Sequence, residues 1–114
     1  MGTTIKRGFE IFSERYKYDF GACSYANGWA QLDSRQDAPY YGQWANPDRR
    51  ELFSYCEGDT CLKQCETDDD FKTALRECID WNKEREYWIG IDAGAPSTPM
   101  RARFEALGFG ADCH

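Results

Sequence analysis

The sequence predicts an α+β fold: a four-stranded antiparallel meander, about residues 28–65, packed against one main helix, with short flanking helices near both termini. Three observations predict it. Short aromatic-bearing runs separated by Asp, Asn, Pro, Gly and Arg fill the first half after residue 28. A run of acids behind a threonine then opens a long stripe of apolar residues at three- and four-residue steps. The chain is 114 residues long, which fits one domain over residues 1–114.

Taken in order, Ile5, Phe9, Phe12 and Tyr16 fall on one helical stripe, so a short N-terminal helix is expected, weakened by Gly8 in its middle. The meander strands follow at 29–34, 40–46, 51–57 and 60–65. Gly58-Asp59 reads as a two-residue turn, which would pair Cys56 with Cys61, Tyr55 with Leu62 and Leu52 with Cys65. Leu52, Cys56, Cys61 and Cys65 then share one face of the hairpin, and Phe53, Tyr55 and Leu62 the other. Both faces carry apolar groups, so one should pack on a helix.

Thr67 stands three residues before Asp70, a short form of capping box, and Asp68, Asp69 and Asp70 occupy the first turn, where the helix dipole favours negative charge. Phe71, Ala74, Leu75, Cys78, Ile79 and Asn82 continue as the apolar stripe of a helix over 68–86. Residues 87–95 form a short extended piece. The last helix has Thr98 as N-cap, Pro99 at its first position and Met100, Phe104 and Leu107 facing inward, and it stops at Gly108, with Phe109 folding back on Phe104.

The composition excludes several classes. With 14 Lys plus Arg against 20 Asp plus Glu, the net charge is −6, which disfavours direct nucleic-acid binding through a basic face. Met1 to Tyr18 mixes charged with apolar residues and lacks the apolar core of a secretory signal, so a cytoplasmic protein that does not enter a membrane is expected. In that compartment thiols stay reduced, so the cysteines read as buried small groups or metal ligands rather than a disulfide framework. Cys56, Cys61, Cys65 and Cys78 would lie on facing surfaces and could hold zinc, but their spacing lacks the paired two-residue spacers of zinc ribbons, and no cofactor is assigned. His114 is the only histidine and ends the sequence, which makes a Cys-His or Ser-His enzyme a poor fit. Neither the carboxylates nor the glycines form a catalytic or phosphate-binding pattern, so the expectation is a non-enzymatic protein, the alternatives being a small cysteine-based metal-stabilised structural domain or an enzyme of unfamiliar type.

Charge is unevenly spread. Glu51, Glu57, Asp59, Glu66, Asp68, Asp69 and Asp70 lie in one stretch that holds a single base, Lys63, so this stretch carries the whole net charge. A helix dipole explains acids at a helix start. The sharper reading is a negative patch of Glu57, Asp59, Glu66, Asp68, Asp69 and Asp70 that docks on a basic protein surface. Four Trp, seven Tyr and seven Phe exceed what a small core needs. Trp29, Tyr41 and Trp44 are therefore expected as exposed anchors for a protein partner, and an exposed sheet edge would support a homodimer.

Tyr18-Asp19-Phe20 through Cys23, Asn27-Gly28-Trp29-Ala30-Gln31-Leu32-Asp33, Trp44-Ala45-Asn46-Pro47 and Asp80-Trp81-Asn82 together resemble small uncharacterised proteins carried on bacterial plasmids, phages and integrative elements. The resemblance covers about the middle two-thirds of the chain and brings no catalytic residue with it. It implies roles such elements need, among them anti-CRISPR or anti-restriction inhibition, in which a small acidic binder engages a nucleic-acid-handling complex.

Overall fold

The computed structural model describes residues 2–7, 28–33, 42–55, 61–94 and 98–113. Its strands are β1 (Thr3–Arg7), β2 (Ala30–Asp33), β3 (Gly42–Asn46), β4 (Glu51–Tyr55), β5 (Cys61–Cys65) and β6 (Trp88–Asp92). The helices are α1 (Asp68–Glu84) and α2 (Pro99–Ala106), followed by a short 3-10 turn at Gly110–Asp112. All six strands form one antiparallel sheet in the order β1-β5-β4-β3-β2-β6. The expected meander is its centre, with one further strand added at each side.

The added strand β1 corrects the expected N-terminal helix at its start. Thr3, Thr4 and Ile5 are a run of β-branched residues, which favours extended backbone, and the strand pairs along β5 from Thr3 opposite Cys65 to Arg7 opposite Cys61. Phe9, Phe12 and Tyr16, the rest of that expected helix, lie outside the described residues. The extended piece at 87–95 is realised as β6, which pairs with β2.

The hairpin register differs from the expected one by two residues. Phe53, not Tyr55, stands opposite Leu62, and Leu52 stands opposite Lys63 rather than Cys65. A shift of two keeps the side-chain parity, so Leu52, Cys61 and Cys65 still share a face and Phe53 and Leu62 share the other. The observed register brings Trp44, Phe53 and Leu62 into one cross-strand row on the second face, where they join Trp29 in a buried cluster. The Gly58-Asp59 turn and Cys56 lie outside the described residues.

The β3–β4 connection is built by its own residues. Asn46, almost fully buried, accepts the backbone N–H groups of Asp48 and Arg49 on its Oδ1, each at 3.1 Å, and fixes the turn. Arg50 closes it in the left-handed region at φ 57°, a conformation that costs a non-glycine residue about 1 kcal/mol.

Helix α1 starts as expected. Thr67 is the N-cap, its Oγ1 accepting the Asp70 N–H at 3.1 Å while the hydroxyl donates to Asp70 Oδ2 at 2.9 Å. Phe71, Ala74, Leu75 and Ile79 face the sheet and pack with Ala30, Leu32, Ala45, Leu52 and Ile91 in the main core. Helix α2 has Thr98 as N-cap and Pro99 at its first turn, and it delivers Phe104 to the same core. Gly108 at φ 92° then reverses the chain, and the Phe109 N–H bonds the Phe104 carbonyl at 2.9 Å, so Phe109 folds back on the helix as expected. No described helix is long and apolar enough to cross a membrane.

Candidate functional site

The acidic stretch ends at the β5–α1 corner, where its residues have separate roles. Glu51 is buried on β4 and accepts the Gln64 side-chain N–H at 2.8 Å, so it is not part of a surface patch. Asp68, half-exposed at the first position of α1, accepts Arg50 Nε at 2.9 Å and Arg103 Nη2 at 2.7 Å on one oxygen, Oδ1. Arg103 also lies 3.8 Å from the Asp48 carboxylate. The β3–β4 turn, α1 and α2 are thereby tied together at a single carboxylate.

These bonds set the electrostatics of the corner. The hydrogen bond from Arg50 first, and that from Arg103 second, hold the Asp68 carboxyl below the ordinary carboxylate range. Asp68 thus enters a mixed-charge network and is not a free negative group, a correction to the uniform patch expected from sequence. The reason is tertiary: Arg50 and Arg103 are 18 and 35 residues away in the chain, and no local spacing connects them to Asp68.

Asp70 is likewise engaged by its hydrogen bond from Thr67, and its carboxylate packs against Gly2, where any side chain would overlap it. The Glu66 N–H bonds the Gly2 carbonyl at 2.7 Å and fixes the corner to the start of β1. Glu66 and Asp69 are exposed, and neither side chain has an ion-pair partner among the described residues. Glu57, Asp59 and Tyr41 lie outside the described residues.

Two of the expected aromatic anchors are interior. Trp29 is 0% and Trp44 5% exposed, both in the second-face cluster, with Trp29 edge-on to Phe53 at a centroid distance of 6.5 Å. The cause is the sheet pleat: Trp44 is directly opposite Phe53 and one strand further from Leu62, so burying one buries the row. Trp81 on α1 is the exposed tryptophan, at 39%, with the Arg85 guanidinium 4.1 Å from its ring centroid. It falls outside the stripe of Phe71, Leu75 and Ile79, and that offset is the sequence signal that would have singled it out.

Among the described residues, Cys61, Cys65 and Cys78 do not gather as a zinc site, and Cys56 lies outside them. Cys65 sits at the end of β5 and accepts a hydrogen bond from the Thr3 hydroxyl at 3.7 Å, while the Cys78 thiol donates to Gln43 Oε1 at 2.9 Å. Among the described residues no three of His, Cys, Asp and Glu are placed to share a metal ion. Burial pushes the Cys65 thiol up, opposed by the hydrogen bond from Thr3.

Fold and corner together define an α+β protein in which a mixed-charge clasp sits beside Glu66 and Asp69, two acids with no ion-pair partner among the described residues. Comparison with protein-family models, with curated proteins and with solved structures finds no match.

Proposed function

We propose that this chain is a non-enzymatic protein-binding domain whose β5–α1 corner docks on a basic surface of a protein partner. The observation that carries this reading is the division of labour at the corner. Asp68 and Asp70 hold the fold, whereas Glu66 and Asp69 are exposed without a counter-charge among the described residues. In a chain of net charge −6, such groups add long-range attraction toward a cationic surface and increase the rate of encounter. A complex that handles nucleic acid presents such a surface where phosphates bind. Inhibition of an anti-CRISPR or anti-restriction type is the form of this activity that fits the resemblance to mobile-element proteins.

The test is an affinity pull-down from host lysate at low and physiological salt, followed by titration of the recovered partner. Glu66→Lys with Asp69→Lys should lower affinity by about tenfold or more while circular dichroism stays unchanged. Unchanged affinity in that double variant would end the acidic-corner reading.

A further inference from the structure

A second surface lies along the sheet edge at β1. This strand stands at one end of the strand order, with β5 as its inner neighbour. Two hydrogen bonds settle which of its backbone groups point outward. The Cys65 N–H bonds the Arg50 carbonyl at 2.8 Å, on the β4 side, so Cys65 does not bond Thr3, the residue directly opposite it on β1. The Glu66 N–H bonds the Gly2 carbonyl at 2.7 Å. Opposed residues of an antiparallel pair alternate between bonded and unbonded, so Gly2, Thr4 and Lys6 bond towards β5, while Thr3, Ile5 and Arg7 turn their N–H and C=O groups away from it.

The start of this edge is open. Among the described residues, nothing bonds the outward backbone groups of Thr3 and Ile5. The side chains of Thr3 and Thr4 are exposed, and Ile5, at 46%, is the most exposed large hydrophobic residue described. Edge strands are ordinarily blunted by a proline, a bulge or a charge. Thr3-Thr4-Ile5 has none of these, its register with β5 is unbroken, and its β-branched residues favour extended backbone; the charges of Lys6 and Arg7 come after it.

We propose that two copies of this chain pair through β1, antiparallel about a two-fold axis at Thr4, to make one continuous sheet. In this register Thr3 of each copy faces Ile5 of the other, and each pair exchanges both N–H···O=C bonds, so the open groups satisfy one another. The Thr3 and Ile5 side chains of both copies meet on the α1 side of the sheet, because Ile5 shares a row with Lys63 and with the core residue Leu52. Charge selects the same register. An axis at Lys6 or at Arg7 would set a cation against its own copy, whereas the axis at Thr4 places Lys6 of the second copy opposite Gly2, in the row of Glu66. Glu66 is exposed with no ion-pair partner among the described residues, and two strand spacings, about 10 Å, separate it from that Lys6 backbone with only glycine between. The attraction acts through space and needs no direct bond from Lys6. In a chain of net charge −6 it sets the basic strand of each copy beside an acid of the other, which favours a second copy over an unrelated strand.

The experiment is sedimentation of the full chain from about 1 to 500 µM, which should show a monomer–dimer equilibrium with the dimer dominant at the upper end. Ile5→Pro removes an outward N–H and no bond to β5, and Ile5→Lys places a charge in the apolar pair. Each should weaken association by about tenfold or more, with circular dichroism unchanged. Thr73→Ala, exposed on α1, should leave association as it is. Cross-linking reads the register: Thr4→Cys brings two thiols together on the axis and, with oxidised glutathione, should form a covalent dimer beyond any formed by the wild-type chain. Lys6→Cys, off the axis, should not. A monomer at every concentration, wild-type association in a folded Ile5 variant, or no added cross-link from Thr4→Cys would each overturn the proposal.

Discussion

Phe71, Ala74 and Leu75, in the first half of α1, rest on an apolar floor that includes Leu52 and Cys65, whereas Cys78 and Asn82, further along the same stripe, meet the polar Gln43. The helical spacing is the same in both halves. What differs is the cross-strand row beneath. Ala45 and Leu52 are neighbours in one row, Gln43 and Ser54 in the next, and the strand register decides which row each helical turn covers. Helical periodicity therefore identifies the side of α1 that faces the sheet, but only strand pairing shows that its first half covers an apolar row and its second half meets the polar Gln43.

The largest expected effect breaks the first half. Phe71 is fully buried, and Phe71→Ala should cost about 3–5 kcal/mol, measured by urea unfolding monitored with circular dichroism. A loss below about 1 kcal/mol would mean the apolar half contributes no more than the polar one. In the second half, Asn82→Leu keeps the number of side-chain heavy atoms and their branching and removes the Nδ2 hydrogen bonds to Gln43 and the Cys78 carbonyl. Gln43 Oε1 keeps its bond from the Cys78 thiol, and Asn82 Oδ1 already has no hydrogen-bond partner among the described residues. The expected cost is about 1 kcal/mol, and a cost equal to that of Phe71→Ala would erase the distinction between the halves.

How much of this was legible in the sequence follows the same division. Caps and stripes are local, so Thr67, Thr98, Pro99 and Gly108 mark the helix limits correctly, and the faces of the hairpin follow from parity alone. Register is not local. The Gly58-Asp59 signal placed the pairing two residues away from the one that aligns Phe53 with Leu62 and Trp44. The helical spacing of Ile5 with later residues concealed a β-branched run that adds a strand to β5. At the site, the acids were visible as a cluster, but the partners that divide them, Arg50 and Arg103, come from other elements. Trp29 and Trp44 read as anchors because composition counts aromatics without placing them, and the second face of the sheet buries both.

The two ends of α1 give the smallest and most specific prediction. At its start, Asp68 ties the helix to the β3–β4 turn and to α2 through Arg50 and Arg103. At its end, Arg85 donates to the helix's own Trp81 carbonyl and Glu84 carboxylate. The Asp68 carboxyl is held below the ordinary range in the folded protein, so folding favours its ionised form. That contribution is fully present above the ordinary Asp pKa of the unfolded chain and is lost as pH falls through the lower folded-state value. Asp68→Asn removes it at every pH, so wild type and variant should differ in midpoint at neutral pH and converge in acid. Amide exchange gives the local counterpart: at neutral pH Asp68→Asn should speed exchange of the Asp70 and Phe71 amides, which bond Thr67, and leave the last turn of α1 unchanged. Parallel acid profiles for the two proteins would place the tie elsewhere, since an ion pair that persists unchanged through carboxylate protonation is not the one holding α1 to Arg50 and Arg103.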